Sequence, residues 1–255
     1  FVMWLAGLNK RIVQLNSPAS SDDVRLQFFG LDIYSTFQSM DQVVNYFEKA
    51  NQTRLATTVR GHYSILGRFR PNATTYGEAL LGGKLSSQLD NVSRVVQLLQ
   101  RNKPNFSSRN EKDEYFNALE NARVVVAAEA YFRELKSKKQ GTQKIWNIRE
   151  AAMFDILQNV LRHIQQEKTN NHKPARVIVW AHNSHVGDIR ATDNARLYQH
   201  SLGQMCRQEF GEDHVYSIGF SCNKGTVRAA HEWGEPDHIM KLRHAPEGSH
   251  EYLLS

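Results

Sequence analysis

Two short runs of β-branched and aromatic residues, VRLQFFGLDIYS (24–35) and RVIVWA (176–181), read as β-strands, and the 140 residues between them (36–175) follow a helical pattern. This spacing constrains the fold more than any other feature. Strands so far apart in sequence are joined by crossovers, not hairpins, and pair in parallel. A third run, HVYSIGFS (214–221), follows the second after a helical stretch at 195–210. The expected fold class is therefore α/β: a mainly parallel sheet flanked by helices in three layers (α/β/α), with a large helical insertion between the first and second strands. Within a single domain over 1–255, that helical region spans 36–170. Apolar spacing places helices at 1–15, in two pieces over 36–66, and at 84–101, 108–138 and 143–167. Pro71, Gly77, Gly82 and Gly83 make 68–83 read as a loop.

The second run ends abruptly in polar chemistry: His182, Asn183, Ser184, His185, Gly187, Asp188 and Arg190 follow Ala181. The first run ends at Asp32 and Tyr34. In open parallel sheets, ligands sit beyond the carboxyl ends of the strands. Parallel pairing would bring Asp32 and the His182–His185 segment to one edge. The competing assignment has His182 capping backbone groups and Asp188 starting the next helix. Two helical residues add to the candidate set. Glu129 lies among Val125, Val126 and Phe132, where a carboxylate is costly unless paired, and Arg133 at i+4 is its natural partner. Arg149 continues the apolar stripe of Met153, Ile156 and Val160, so it either snorkels outward or projects into a polar cavity near Trp146 and Asn147.

Composition narrows the partners. The net charge is +6, yet no stripe of Lys and Arg interleaved with aromatics occurs, so no nucleic-acid partner is expected. KSKK (136–139) reads as a solvated helix end. No run approaches the roughly 18 apolar residues of a membrane span, and no membrane partner is expected. Cys206 and Cys222 are too few for a disulfide framework, although one bridge between them is allowed. FVMWLAGL at the start lacks the basic region and cleavage site of a signal peptide. The default compartment is the cytoplasm; sequons at Asn51, Asn72, Asn91 and Asn105 hint at secretion.

Six blocks, taken in order, resemble the erythromycin esterase family: FFGLDIYS (28–35), NARVVVAAEAYFR (121–133), WNIREAAM (146–153), VIVWAHNSHVGDIRAT (177–192), GFSCNKGTV (219–227) and GSHEYLL (248–254). The resemblance implies an α/β core elaborated by helices, and hydrolysis of a carboxylic ester; the best-known members open the macrolactone of erythromycin-type antibiotics. It also implies that His182 and His185 line the active-site cleft. The family's base is a different histidine, in a Gly-Glu-x-x-His-Gly motif, which activates water for direct attack. That motif is not found in these residues, whose Gly-Glu pairs are Gly77–Glu78, Gly211–Glu212 and Gly234–Glu235. The chain is thus expected to correspond to the C-terminal two-thirds of the family domain. Glu150 stands where the family tends to carry Asp, and His250 where it tends to carry an aromatic.

Three functions compete on these residues. The first is an ester hydrolase acting on a small-molecule ester without a cofactor. In it His182 and His185 orient water or bind the oxyanion, with Glu129, Arg149, Asp32, Asn183 and Asp188 in support. The second is a catalytically inactive binding module, or a truncated product lacking the base. The third is a metal-dependent hydrolase in which His182, His185 and Asp188 form an H-x-x-H-x-x-D ligand run. Ser184 lacks the G-x-S-x-G elbow of a serine nucleophile.

Overall fold

A computed structural model of the chain describes residues 2–15, 26–135, 142–167, 174–231 and 235–253, and among these the architecture is mostly helical. Helix α1 (Val2–Leu15) comes first. A helical layer follows, made of α2 (Thr36–Lys49), α3 (Thr53–Gly67), α4 (Thr74–Leu81), α5 (Leu89–Arg101) and α6 (Arg109–Leu135). Helix α7 (Thr142–Glu167) packs on α6 along one side and on α9 (Leu202–Phe210) along another.

Helix α6 is the hub, in contact with α2, α4, α5 and α7. Its sequence accounts for this. Ala118, Ala122, Val125 and Ala128 recur at three- and four-residue spacing and are buried, which lets neighbouring helices come close; Val124, Tyr131 and Phe132 bury further flanks. A helix apolar over more than one stripe must be covered on more than one side. Around it, Val43, Val59, Val92, Val95 and Leu99 are essentially fully buried, each contributing roughly 1.5–3 kcal/mol relative to an exposed side chain.

Among the described residues the expected parallel sheet does not form, which overturns the three-layer α/β/α assignment. The apolar runs at 26–32, 176–181 and 215–220 carry no strand, and no backbone hydrogen bond joins any two of them among the described residues. The sheet that does exist is antiparallel, β1 (Thr226–Ala229) with β2 (His238–Lys241), pairing Thr226 with Lys241 in a stretch that reads as irregular. The reason is that β-propensity reports how side chains fit a half-buried surface, and does not supply a neighbouring strand. Each run instead lays one face on the helices. Leu31, Val179 and Val215 pack on a cluster of Met153, Leu157, Leu202 and Cys206. The opposite faces stay bare, with Ile178 and Trp180 each 95% exposed.

Two further expectations shift locally. The segment 68–83 contains α4, because Asn72 Oδ1 accepts from the Thr74 N–H (3.0 Å) and its hydroxyl (2.6 Å), and Tyr76 anchors the turn in the core. The helix expected at 195–210 is broken. A 3-10 turn (Asp193–Leu197) ends at Tyr198, which takes a left-handed conformation (φ 52°), and α9 restarts behind Ser201, whose Oγ accepts from the Gln204 N–H. Both cysteines are free, and burial pushes the Cys206 thiol up to about 11. No helix among the described residues is long and apolar enough to cross a membrane. KSKK lies outside the described residues.

Candidate active site

The first half of α7 organises the site. Glu150 shares a stripe with Met153 and Leu157 at i+3 and i+7, so it points where they point, into the interface with α9. It is fully buried. Burying a carboxylate costs several kcal/mol unless both its oxygens are satisfied. Here Oε2 accepts the Leu202 N–H at 2.7 Å, and Oε1 is hydrogen-bonded to His185 Nδ1. Trp146, one turn earlier, stacks on the His185 ring with centroids 5.0 Å apart and planes 6° apart. Its indole N–H donates to the His200 carbonyl at 2.6 Å. The imidazole is therefore fixed along one edge and one face.

The loop that presents His185 is built from side chains substituting for backbone. His182 caps the single-turn helix α8 (Asn183–Val186): its Nδ1 accepts the Ser184 N–H at 3.1 Å and lies 2.9 Å from Ser184 Oγ. Asn183 clamps the Phe220 backbone, donating to its carbonyl (2.5 Å) and accepting from its N–H (3.2 Å). Ser201 Oγ donates to the Gly187 carbonyl at 2.8 Å and accepts the Ile189 N–H at 3.2 Å. Asn147 ties α7 to the same loop through the Tyr198 carbonyl (3.0 Å) and the His200 N–H (2.9 Å).

Beside this pair sits a second one. Arg149 donates to Asp32 through Nε (3.0 Å) and Nη2 (2.7 Å), with its guanidinium 4.7 Å over the Tyr34 ring. The Tyr34 hydroxyl meets that of Tyr131 at 3.1 Å. Burial alone would raise the Asp32 carboxyl, but the Arg149 hydrogen bonds and charge, the Ile33 N–H and the nearby His185 outweigh it and hold it below the ordinary carboxylate range. Burial and the Tyr34 hydroxyl push the Tyr131 phenol well up, so it stays protonated. Because the folded Asp32 value is depressed below the unfolded value of about 3.9, its contribution to stability is complete above that pH and is lost as pH falls through the lower folded value. Denaturant titrations at pH 6 and pH 3 should show that acidification costs Arg149→Gln less stability than it costs the wild type.

The structure thus brings Asp32, Arg149 and His185 into one neighbourhood and keeps other candidates apart. Glu129 is fully buried in the helical layer, where Oε1 accepts from Tyr76 (2.7 Å), Ser87 (2.7 Å) and the Gln88 N–H (3.2 Å). Arg133 pairs with it at 3.4 Å. Asp188 turns to Arg190 and caps the 3-10 turn Ile189–Ala191; hydrogen bonding from Arg190 lowers its carboxyl. Through these contacts His182, His185 and Asp188 have three different partners, and among the described residues no group of three His, Cys, Asp or Glu side chains is placed to hold a metal ion. Sequence reasoning missed Glu150 as a site group. The available signal was its place on the Met153–Leu157 stripe, the same argument that singled out Arg149 one residue earlier.

The arrangement offers a fixed imidazole beside a buried carboxylate, a second histidine at a helix cap, and an ion pair within electrostatic reach. Compared with known proteins, the chain matches the family model described as Erythromycin esterase over residues 1–255, its whole length. No solved structure matches it.

Proposed function

The chain belongs to the erythromycin esterase family, and from that premise we propose that it hydrolyses a carboxylic ester by activating water at His185. Family membership supports an esterase-like hydrolase; the mechanism is argued from the site. The observation that carries it is the His185 ring held by the buried Glu150 carboxylate along its edge and by Trp146 on its face. With Nδ1–H donated to Glu150, neutral His185 keeps its lone pair on Nε2, the tautomer a general base needs.

His182 takes the opposite tautomer. Its Nδ1 accepts the Ser184 N–H, so its proton sits on Nε2 as a hydrogen-bond donor. In the proposed reaction, His185 Nε2 takes a proton as water oxygen attacks the ester carbonyl. The tetrahedral oxyanion accepts the His182 Nε2–H. Collapse breaks the carbonyl carbon–alkoxy bond, and the leaving alkoxide takes the proton back from His185. Acid and alcohol result, and His185 is neutral again. Arg149, held by Asp32, lends positive potential nearby. Donors of this kind are worth about 10²–10³-fold each in comparable sites.

The reading is tested with p-nitrophenyl acetate and a panel of alkyl esters and lactones under pre-steady-state conditions. Direct water attack gives linear release of p-nitrophenolate from the first turnover. A burst of one equivalent would replace it with an acyl-enzyme route. Ester binding without turnover would make the chain a binding module.

A further inference from the structure

The helical layer holds an open groove of about 620 Å³ between α2 and α3, lined by Met40 and Val44 on one wall and by Arg60, Tyr63 and Arg70 among others. Tyr63 is the unusual member. It is 3% exposed, and its hydroxyl is buried with no hydrogen-bond partner among the described residues. Leaving a buried hydroxyl unmade costs about 1–3 kcal/mol in general, so its retention calls for a partner. Burial pushes the phenol far up, which keeps it a donor at any physiological pH.

The groove's other polar groups have the same character. Arg70 donates to both Asp41 oxygens (3.0 and 2.6 Å) and to the Phe37 carbonyl (3.2 Å). Arg60 pairs with Glu48. A guanidinium has five N–H donors, so these acids hold the two arginines without exhausting them. Their remaining N–H groups are donors on the groove's polar side, opposite Met40 and Val44.

We propose that this groove binds a small amphipathic carboxylate, whose anionic end accepts the Tyr63 O–H in the field of Arg60 and Arg70 and whose alkyl chain lies along Met40 and Val44. An amine of the same length cannot accept the Tyr63 O–H and finds the Asp41 carboxylate already engaged at both oxygens. The site is independent of the ester chemistry at His185.

Octanoate, octylamine and 1-octanol are titrated into the chain, with thermal unfolding and isothermal calorimetry as readouts. Octanoate should bind saturably and raise Tm, while the amine and the alcohol should not. Tyr63→Phe, which removes the orphaned hydroxyl and keeps the ring, should fold at least as well as the wild type and bind octanoate about 10-fold more weakly or worse. Arg60→Gln should weaken octanoate as well, and both variants should keep wild-type ester hydrolysis. Equal responses to octanoate and octylamine, or undiminished octanoate binding by Tyr63→Phe, would overturn the proposal.

Discussion

Glu150→Gln leaves the chain folded and lowers kcat/KM for ester hydrolysis by about 10²–10⁴-fold, the range over which a positioned base acts. The substituted amide has nearly the same shape, and its oxygen can still accept the Leu202 N–H that Glu150 Oε2 accepts now. Its NH2 then faces His185 Nδ1 and donates where the carboxylate accepted. Nδ1 becomes the acceptor and the proton moves to Nε2, so His185 can no longer take a proton from water. Glu150 is a positioning residue in this account, and the loss falls on kcat with little change in KM. Glu150→Asp, one methylene shorter and of the same charge, should restore part of the rate. Glu150→Ala is the less informative variant, because removing one member of a buried pair costs about 3–5 kcal/mol of stability and confounds the measurement. Full activity in a folded Glu150→Gln variant would remove His185 as the base.

Gly203→Ala gives the second large effect, in stability first and activity second. A Cβ at 203 would sit 2.6 Å from the Gly187 carbonyl oxygen and closer still to that of Val186. Both obstacles are backbone, so no side-chain rotation relieves them. The first turn of α9 must back away from α8, and it takes with it the Leu202 N–H that holds Glu150 and the Ser201 hydroxyl that holds Gly187. Overpacking costs typically about 1–3 kcal/mol, and rigid backbone obstacles put this site at the upper end. At about 2–4 °C per kcal/mol for a chain of this size, Tm should fall by roughly 6–12 °C. Gly61→Ala is the internal control. It lies within α3 with nothing inside 4 Å of the added carbon, and should stabilise by up to about 1 kcal/mol. A Gly203→Ala variant as stable as the wild type would mean that α9 and α8 do not approach as described.

These two sites also mark what was legible in the residues. The helices were, because residues such as Met40, Val43 and Phe47 in α2 repeat at the three- and four-residue spacing that buries one face. Asp32 and Arg149 were each picked out from their own surroundings, and the structure joins them over a separation of 117 positions. Strand pairing was not legible. Val177, Ile178 and Val179 have the composition of a central strand, but composition does not specify the partner that completes a ladder. Glu150 was noted only as standing where the family tends to carry Asp, and its burial depends on α9, which begins 21 residues beyond the strand-like run and past a left-handed Tyr198. Glu129 was noticed for a sound reason, its apolar setting. Its Oε1 is held by Tyr76 and Ser87 inside the helical layer, while Oε2 faces Arg133 at 3.4 Å without a hydrogen bond.

The stacking of Trp146 on His185 gives the site its own optical signal. An imidazolium in contact with an indole quenches its emission by accepting an electron from the excited ring, whereas a neutral imidazole does so weakly. Trp146 and His185 are parallel and in contact, while Trp180 is 95% exposed and Trp4 is 56% exposed. In a Trp233→Phe background, quenchers in solution therefore silence Trp4 and Trp180 first and leave the Trp146 emission standing. Read that way, the brightness of one tryptophan reports whether the imidazole beside it carries one proton or two, with no substrate present and no turnover required.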